Sequence, residues 1–273
     1  MSLLPVRVNG DSVSFDREQC IELGEKNHDT YETASPFRHI VLDDFLPSDL
    51  LARVIKEFPD RQKGRFSNSQ SKLKTGYQLE MISSPFITNL FYALNSSQFL
   101  SFLESLTGID GLISDPHYGG GGLHETARGG HLSIHADFNL HQKLNLWRRL
   151  NLILYLNEDW LPEYGGDLEL WSKDMSECDI RVQPTFGRAV IFNTTEESWH
   201  GHPEPLNCPE NRYRRSLALY YYTAPRNFSI KKHTTIFRSR PGSGDRANRK
   251  DIMADFLRDI CPPVIWRKFS KGT

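Results

Sequence analysis

Residues 131–138 read HLSIHADF, a strand-like run, and the fold turns on what accompanies it. Five further runs of the same texture follow between turn residues. They are 149–157 (RLNLILYLN), 167–172 (DLELWS), 179–184 (DIRVQP), 187–193 (GRAVIFN) and 213–223 (YRRSLALYYYT). Many short strands at close spacing, with no long amphipathic helix among them, are the mark of a β-sandwich or jelly roll.

Upstream the pattern is different. Val6-Arg7-Val8 and Val13-Ser14-Phe15 around Asn9-Gly10 predict a hairpin in an otherwise polar, mixed stretch of 35 residues. FRHIVLDDF (37–45) reads as a strand. Pro47-Ser48-Asp49 opens a helix that runs to about Phe58 on an apolar face of Leu50, Leu51, Val54, Ile55 and Phe58. Residues 60–80 are polar and predict a surface loop. Ser84-Pro85 starts a helix to about Asn95, and Ser96 or Ser97 caps another that stops at Gly108. A last helix is expected over about 247–260, ended by Pro262-Pro263. The expected organisation is therefore mainly β with flanking α. N-terminal strands and supporting helices span 1–108, a β core 109–225, and a basic extension with one helix 226–273.

With 273 residues, 38% hydrophobic and 25% charged, the composition is that of an ordinary globular protein. No run of 18 apolar residues predicts a membrane span, and the N-terminus does not read as a secretory signal. Cys20, Cys178, Cys208 and Cys261 are scattered without a CxxC pair, which predicts reduced thiols and a cytoplasmic location. Gly119–Gly122 is not a phosphate loop, because no Gly-Lys-Ser/Thr follows; a mobile loop near a site is the modest reading.

His135-Ala136-Asp137 puts an imidazole and a carboxylate on one face of one strand, since residues i and i+2 point the same way. A third ligand has to come from elsewhere, and His200 lies just beyond the run Ala189-Val190-Ile191-Phe192. Two histidines and one carboxylate leave coordination positions open, an arrangement suited to non-haem iron(II). Spacing alone makes this a weak match, with ten histidines and 34 acidic residues in the chain.

The blocks GGHLSIHADF, RRLNLILYLNEDW, GGDLELW, GRAVIFNTTEESWHG and RRSLALYYYT, in that order, resemble the prolyl-4-hydroxylase-like branch of the iron(II)/2-oxoglutarate-dependent dioxygenases. The resemblance covers about residues 110–225. It implies a double-stranded β-helix (jelly roll) core with helices packed outside. It implies iron(II) held by His135, Asp137 and His200, with 2-oxoglutarate and oxygen as cosubstrates and ascorbate as a further cofactor. The family's 2-oxoglutarate arginine falls on Arg215, with Arg214 expected to point outward. The tyrosine of the YLN strand falls on Tyr155, and Asn151 shares its face by period-2 spacing. A guanidinium suits the far carboxylate because it offers a planar bidentate match. Asp137 argues against a halogenase, in which the carboxylate is replaced.

His202 is the rival for the distal ligand, but the gap from Phe192 to His200 fits the family better. His131 lacks the partner two residues on. His124, His141 and Tyr118 are candidates for substrate contact or for plain surface roles, and Trp171 and Trp199 read as core or rim aromatics. The insert Pro203–Glu210 is longer than the family's usual connection and is expected to form a loop. The implied activity is hydroxylation with release of succinate and carbon dioxide. A prolyl residue or other peptide or amino acid is one substrate class, and a small molecule or glycan or lipid precursor the other. A non-enzymatic cupin-like binding protein is disfavoured, because it has no need of a carboxylate anchor.

Charge is unevenly spread. Residues 212–273 hold 15 Lys+Arg and 4 Asp+Glu, a net of +11, while the whole chain is −1. Arg214 and Arg215 belong to the core, and the rest cluster around Lys231-Lys232, Arg238–Arg240, Arg246–Lys250 and Trp266-Arg267-Lys268. This tail predicts either weak contact with an anionic surface through Trp266 or packing of Val264, Ile265 and Trp266 on the barrel with solvated cations. No nucleic-acid partner is expected.

Overall fold

The computed structural model describes residues 2–61, 65–66 (as backbone), 70–141, 143–225, 232–243 and 245. The expected helix over 247–260 and the Val264–Lys268 cluster lie outside the described residues.

The chain begins with the hairpin β1 (Val6–Asn9) and β2 (Ser12–Phe15), followed by α1 (Arg17–Glu32), β3 (His39–Leu42) and α2 (Ser48–Lys56). Next come β4 (Arg65–Phe66), β5 (Ser71–Tyr77), α3 (Pro85–Leu94), α4 (Ser97–Thr107) and β6 (Ile113–Ser114). The core strands are β7 (Gly122–Ala136), β8 (Leu140–His141), β9 (Leu146–Tyr155), β10 (Leu168–Trp171) and β11 (Cys178–Val182). They continue with β12 (Ala189–Asn193), β13 (His200–His202), β14 (Tyr213–Thr223) and β15 (Ile236–Phe237).

The main sheet runs β11-β10-β13-β7-β14-β9-β12-β3. It curls over on itself into a nearly closed antiparallel barrel, the jelly roll. The closure is visible in side chains: Leu168 and Leu170 of β10 pack in one cluster with Tyr155 of β9 and Val190 and Phe192 of β12.

Period-2 alternation sorts each strand into two faces. On β9, β12 and β14 the residues Leu150, Leu152, Leu154, Ala189, Ile191, Leu217, Leu219 and Tyr221 point outward into the large core shared with the helices. The alternate residues point into the barrel. The helices bring Leu50, Leu51 and Val54 of α2, Phe86, Leu90 and Phe91 of α3, and Phe99, Phe102 and Leu106 of α4 to that outer face. Each such fully buried side chain contributes about 1.5–3 kcal/mol. The capping residues act as their types predict. Ser84 and Ser96 accept backbone N–H groups at the starts of α3 and α4, and Gly108 ends α4 in the left-handed conformation.

Strand β7 begins at Gly122 rather than at 131, the short strands β4, β6, β8, β13 and β15 are additional to those expected, and two longer elements differ as well. Residues 17–32 form a helix capped by Asp16, although only Cys20, Leu23, Gly24 and Tyr31 are buried and no strong apolar stripe announces it. The stretch expected as a surface loop carries β5, paired along β7 with Lys74 opposite Thr126 and Tyr77 opposite Leu123. It escapes detection because its buried face is itself polar. Tyr77 donates to Glu125 Oε1 at 2.9 Å, and Arg61 reaches the same oxygen at 2.9 Å.

Strand β7 runs for 15 residues and turns a corner at Gly129-Gly130. Gly129 has φ +75°, and a Cβ on Gly130 would lie 2.6 Å from Thr126 Cγ2 and 2.7 Å from the Lys72 carbonyl oxygen. The insert at 203–210 is a loop, as expected, and is tied to this corner. Gly129 N–H donates to the Leu206 carbonyl, and Leu206 N–H donates to that of Gly130. Cys20, Cys178 and Cys208 are free thiols. Among the described residues no helix is long and apolar enough to cross a membrane.

Candidate metal centre and its cavity

His135 and Asp137 stand at the end of β7, and His200 opens β13 directly opposite His135 in the antiparallel register. Directly opposed residues share a face, so the three side chains converge inside the barrel. His135 Nε2 lies 3.6 Å from Asp137 Oδ1, and His200 Nε2 lies 3.4 Å from Asp137 Oδ2. One potential ligand atom from each residue lies within 4.8 Å of the others. His202 points into the same cavity but is not part of this cluster.

The imidazoles are oriented for a metal. His135 Nδ1 is 2.9 Å from the Ser133 carbonyl and His200 Nδ1 is 2.8 Å from that of Ser198. A carbonyl can only accept, so each Nδ1 carries the hydrogen and each Nε2 presents a lone pair to Asp137. Burial, with His200 nearby, holds His135 below the ordinary histidine range, which favours the neutral, ligating form. Burial alone would push the Asp137 carboxyl up. The Arg148 guanidinium outweighs it and holds Asp137 well below the usual carboxylate range.

Asp137 is braced by two side chains of β9. Arg148 Nη2 donates to Oδ2 at 2.9 Å and Asn151 Nδ2 to the same oxygen at 2.7 Å, while Arg148 Nε donates to Asn151 Oδ1 at 3.0 Å. Arg148 in turn lies 3.4 Å from the centre of the Tyr220 ring, whose hydroxyl donates to the Gly120 carbonyl. Asn151, expected beside a cosubstrate, is thus a cavity residue that holds the Asp137 carboxylate. The glycine run 119–122 is a turn leading into β7. Phe237 of β15 lies against His135 with ring centres 5.4 Å apart.

The expectation for Arg215 is overturned. Its side chain lies on the outer face of β14, where Nε donates to Glu125 Oε2 at 3.3 Å and the guanidinium covers Phe58 at 4.4 Å. Arg214 is the arginine inside. It lines the cavity with His124, Ser216 and Ala218. The parity of β14 is the cause. Leu217, Leu219 and Tyr221 must face the helical core, so Arg215 shares the outward side and Arg214 shares the inward one with Ser216, Ala218 and Tyr220.

Arg214 is held by Nε donating to the Gly166 carbonyl at 2.7 Å and by Nη2 donating to the Tyr155 hydroxyl at 3.2 Å. Its remaining N–H donors are left for the cavity. Gly166, in the left-handed region at φ +79°, lets the side chain pass, since a Cβ there would lie 2.9 Å from Arg214 Cδ. Tyr155 is completely buried among Phe37, Leu168 and Val190 and supports Arg214 from behind.

Beyond Arg214 the cavity continues to Lys74, His124, Thr126 and His202. Both ring nitrogens of His124 and Nδ1 of His202 are buried without a hydrogen-bond partner among the described residues. Polar atoms left this way are costly unless a ligand or water meets them. Of Lys74, His124 and His202, Lys74 is not marked by the sequence, whereas His124 is read there as a candidate for substrate contact and His202 as the rival for the distal ligand. Their signal is positional, for all three line the cavity. His141 is paired with Asp115 at 3.3 Å, and His131 lines no part of the cavity. Trp171 and Trp199 pack with Ile134, Ala136 and Met175 behind the strand that carries His135.

Residues 121–222 match the family model described as the 2OG-Fe(II) oxygenase superfamily. No curated protein matches the sequence. Among solved structures, a Pseudomonas putida prolyl-4-hydroxylase is similar at TM-score 0.53 and 19% identity, over 74% of this chain and 99% of that one. A Trichoplax adhaerens prolyl hydroxylase, in complex with a hypoxia inducible factor oxygen degradation domain peptide fragment, is similar at TM-score 0.52 and 15% identity, over 75% and 91%. HygX from Streptomyces hygroscopicus, with nickel and 2-oxoglutarate bound, is similar at TM-score 0.51 and 11% identity, over 78% and 96%. These likenesses are of fold. The matched segment, 121–222, makes that stretch similar to the 2OG-Fe(II) oxygenase superfamily, and the likeness of fold agrees with it.

Proposed function

We propose that the protein is an iron(II)- and 2-oxoglutarate-dependent hydroxylase whose metal is held by His135, Asp137 and His200 and whose cosubstrate is anchored by Arg214. One observation carries this reading: two tautomer-fixed imidazoles and a braced carboxylate open into the same cavity as an inward arginine. Iron(II), 2-oxoglutarate and oxygen would together supply the oxidising power for C–H hydroxylation, with succinate and carbon dioxide released. The chain's own part is to orient. The Ser133 and Ser198 carbonyls fix the rings, Arg148 and Asn151 fix Asp137, and Tyr155 and Gly166 fix Arg214. Tyr220 lines the cavity against Arg148, and Phe237 packs on the His135 ring.

The substrate class favoured is a peptidyl residue or amino acid, prolyl foremost. Its support is likeness of fold to two prolyl hydroxylases, an analogy rather than a reading of this cavity. Ascorbate is proposed only as a reductant that sustains turnover. A cytoplasmic setting is supported by the free thiols of Cys20, Cys178 and Cys208 among the described residues. The test is anaerobic addition of iron(II) and then 2-oxoglutarate, followed by visible absorption, and then aerobic succinate release against proline-containing peptides and free amino acids. A charge-transfer band that needs both components is expected. Its absence in protein shown to bind the metal would overturn the reading.

A further inference from the structure

The segment matching the family begins at residue 121, yet the cavity has a wall from outside it. Strand β5 runs beside β7 on the side opposite β14. In this three-strand arrangement Thr126 is the direct partner of Lys74 on β5 and of Arg214 on β14. Directly opposed residues on neighbouring strands point to one face. Lys74, Thr126 and Arg214 therefore form a single row across three strands, and all three line the cavity. Strand spacing puts the backbones of the two cations about 10 Å apart, with both side chains reaching inward.

The local chain is built to aim Lys74. The β5–β7 register shifts between Lys72 and Lys74, and Leu73 between them takes φ +53° with its side chain in solvent. This bulge sits at the corner that β7 makes at Gly129-Gly130 and restores the inward phase for Lys74. Two residues on, Gly76 lies over His124 with no side chain to fill the space.

We infer that Lys74 is a second anchor for the far carboxylate of the dicarboxylate cosubstrate, gripping it together with Arg214. The inference rests on the function proposed above. The two groups differ usefully. A guanidinium offers a planar fork and an ammonium a compact point charge, and a carboxylate has about four lone-pair sites to share between them. An anion placed between two convergent cations favours both. The electrostatics agree: enclosure, then the charge of Arg214, pulls the Lys74 ammonium down to about 8. The groups facing it are Arg214 from β14, His124 and Asp137 from β7, and His202 from β13, and Asp137 is the sole carboxylate among the described lining residues.

The experiment uses the full chain loaded with Mn(II) under argon and two probes in calorimetry. These are 2-oxoglutarate and 2-oxovalerate, which keeps the keto acid and replaces the far carboxylate by a methyl. The wild type should prefer 2-oxoglutarate by at least a hundredfold. Lys74→Gln should weaken 2-oxoglutarate tenfold or more, leave 2-oxovalerate within twofold, and be rescued by Lys74→Arg. Equal weakening of both probes, or no weakening, would overturn the role of Lys74 while leaving the proposed function standing. No preference in the wild type would overturn the proposed cosubstrate site itself. Should both variants fail to fold, the wild type decides alone. At pH 8.5, binding of 2-oxoglutarate but not 2-oxovalerate should take up a proton, measured as buffer-dependent heat, and equal uptake for both probes would refute the inference.

Discussion

Arg214 and Arg215 are adjacent in sequence and opposite in role, and single substitutions should separate them. Arg214→Ala removes a charge-assisted contact to an enclosed carboxylate and should weaken 2-oxoglutarate by about 2–5 kcal/mol, read as Kd by calorimetry on the Mn(II) protein. Arg215→Ala should leave that Kd within twofold and instead lower Tm, because Glu125, 1% exposed, loses one of its partners. Tyr155→Phe deletes one neutral hydrogen bond to Arg214 and should cost about 1 kcal/mol of cosubstrate binding. The reverse ranking of the two arginines would restore Arg215 as the anchor. At the metal, His200→Ala should abolish Mn(II) binding, whereas His202→Ala should retain it and change the cosubstrate Kd. Asn151→Ala leaves the Asp137 carboxylate with Arg148 alone, and a loss of about 10–100-fold in metal affinity is expected. Unchanged affinity in that variant would mean that Arg148 is sufficient.

At the level of the element, legibility followed the visibility of the alternation. The β14 run 213–223 was read with its observed bounds, and β9, β10, β11 and β12 were each found within three residues at either end. Each carries buried apolar residues, facing the helical core on β9, β12 and β14 and the barrel interior on β10 and β11, which a strand reading detects. The triad residues were legible for the same reason, since His135 and Asp137 stand on one strand and His200 follows a clear one. Strand β5 was not legible, because Lys74, Thr75 and Tyr77 present polar groups to a polar partner on one face and a cavity on the other. Choosing between Arg214 and Arg215 needed the parity of Ser216 and Ala218 against Leu217 and Leu219, small against large, which a family alignment of the arginine alone overlooks. The GGDLELW block held one more signal. Gly166→Ala should both strain the backbone and displace Arg214, so it should weaken 2-oxoglutarate as Arg214→Ala does and also lower Tm. Gly165→Ala, whose Cβ meets nothing within 4 Å, should lower Tm through backbone strain while sparing the cosubstrate, and this contrast is the check.

At the scale of the whole molecule the proposed metal would join strands that are far apart in the chain, β7 and β13, so its binding should be felt as stability. Mn(II) at a hundred times its Kd should raise the unfolding free energy by about 2.7 kcal/mol, and removal with a chelator should lower Tm by a corresponding amount. A Tm indifferent to metal would argue that the three side chains bind no ion. The row formed by Lys74, Thr126 and Arg214 bears on how the protein can be dissected. A recombinant fragment cut to the matched residues 121–222 would retain the ligands and Arg214, but it would lose β5 and with it a flank of β7. Unpaired backbone along a strand that bears an apolar neighbour invites adhesion between copies. A minimal domain chosen from sequence similarity would thus be sticky and poorly saturated by its cosubstrate, and the smallest useful expression unit begins upstream of β5.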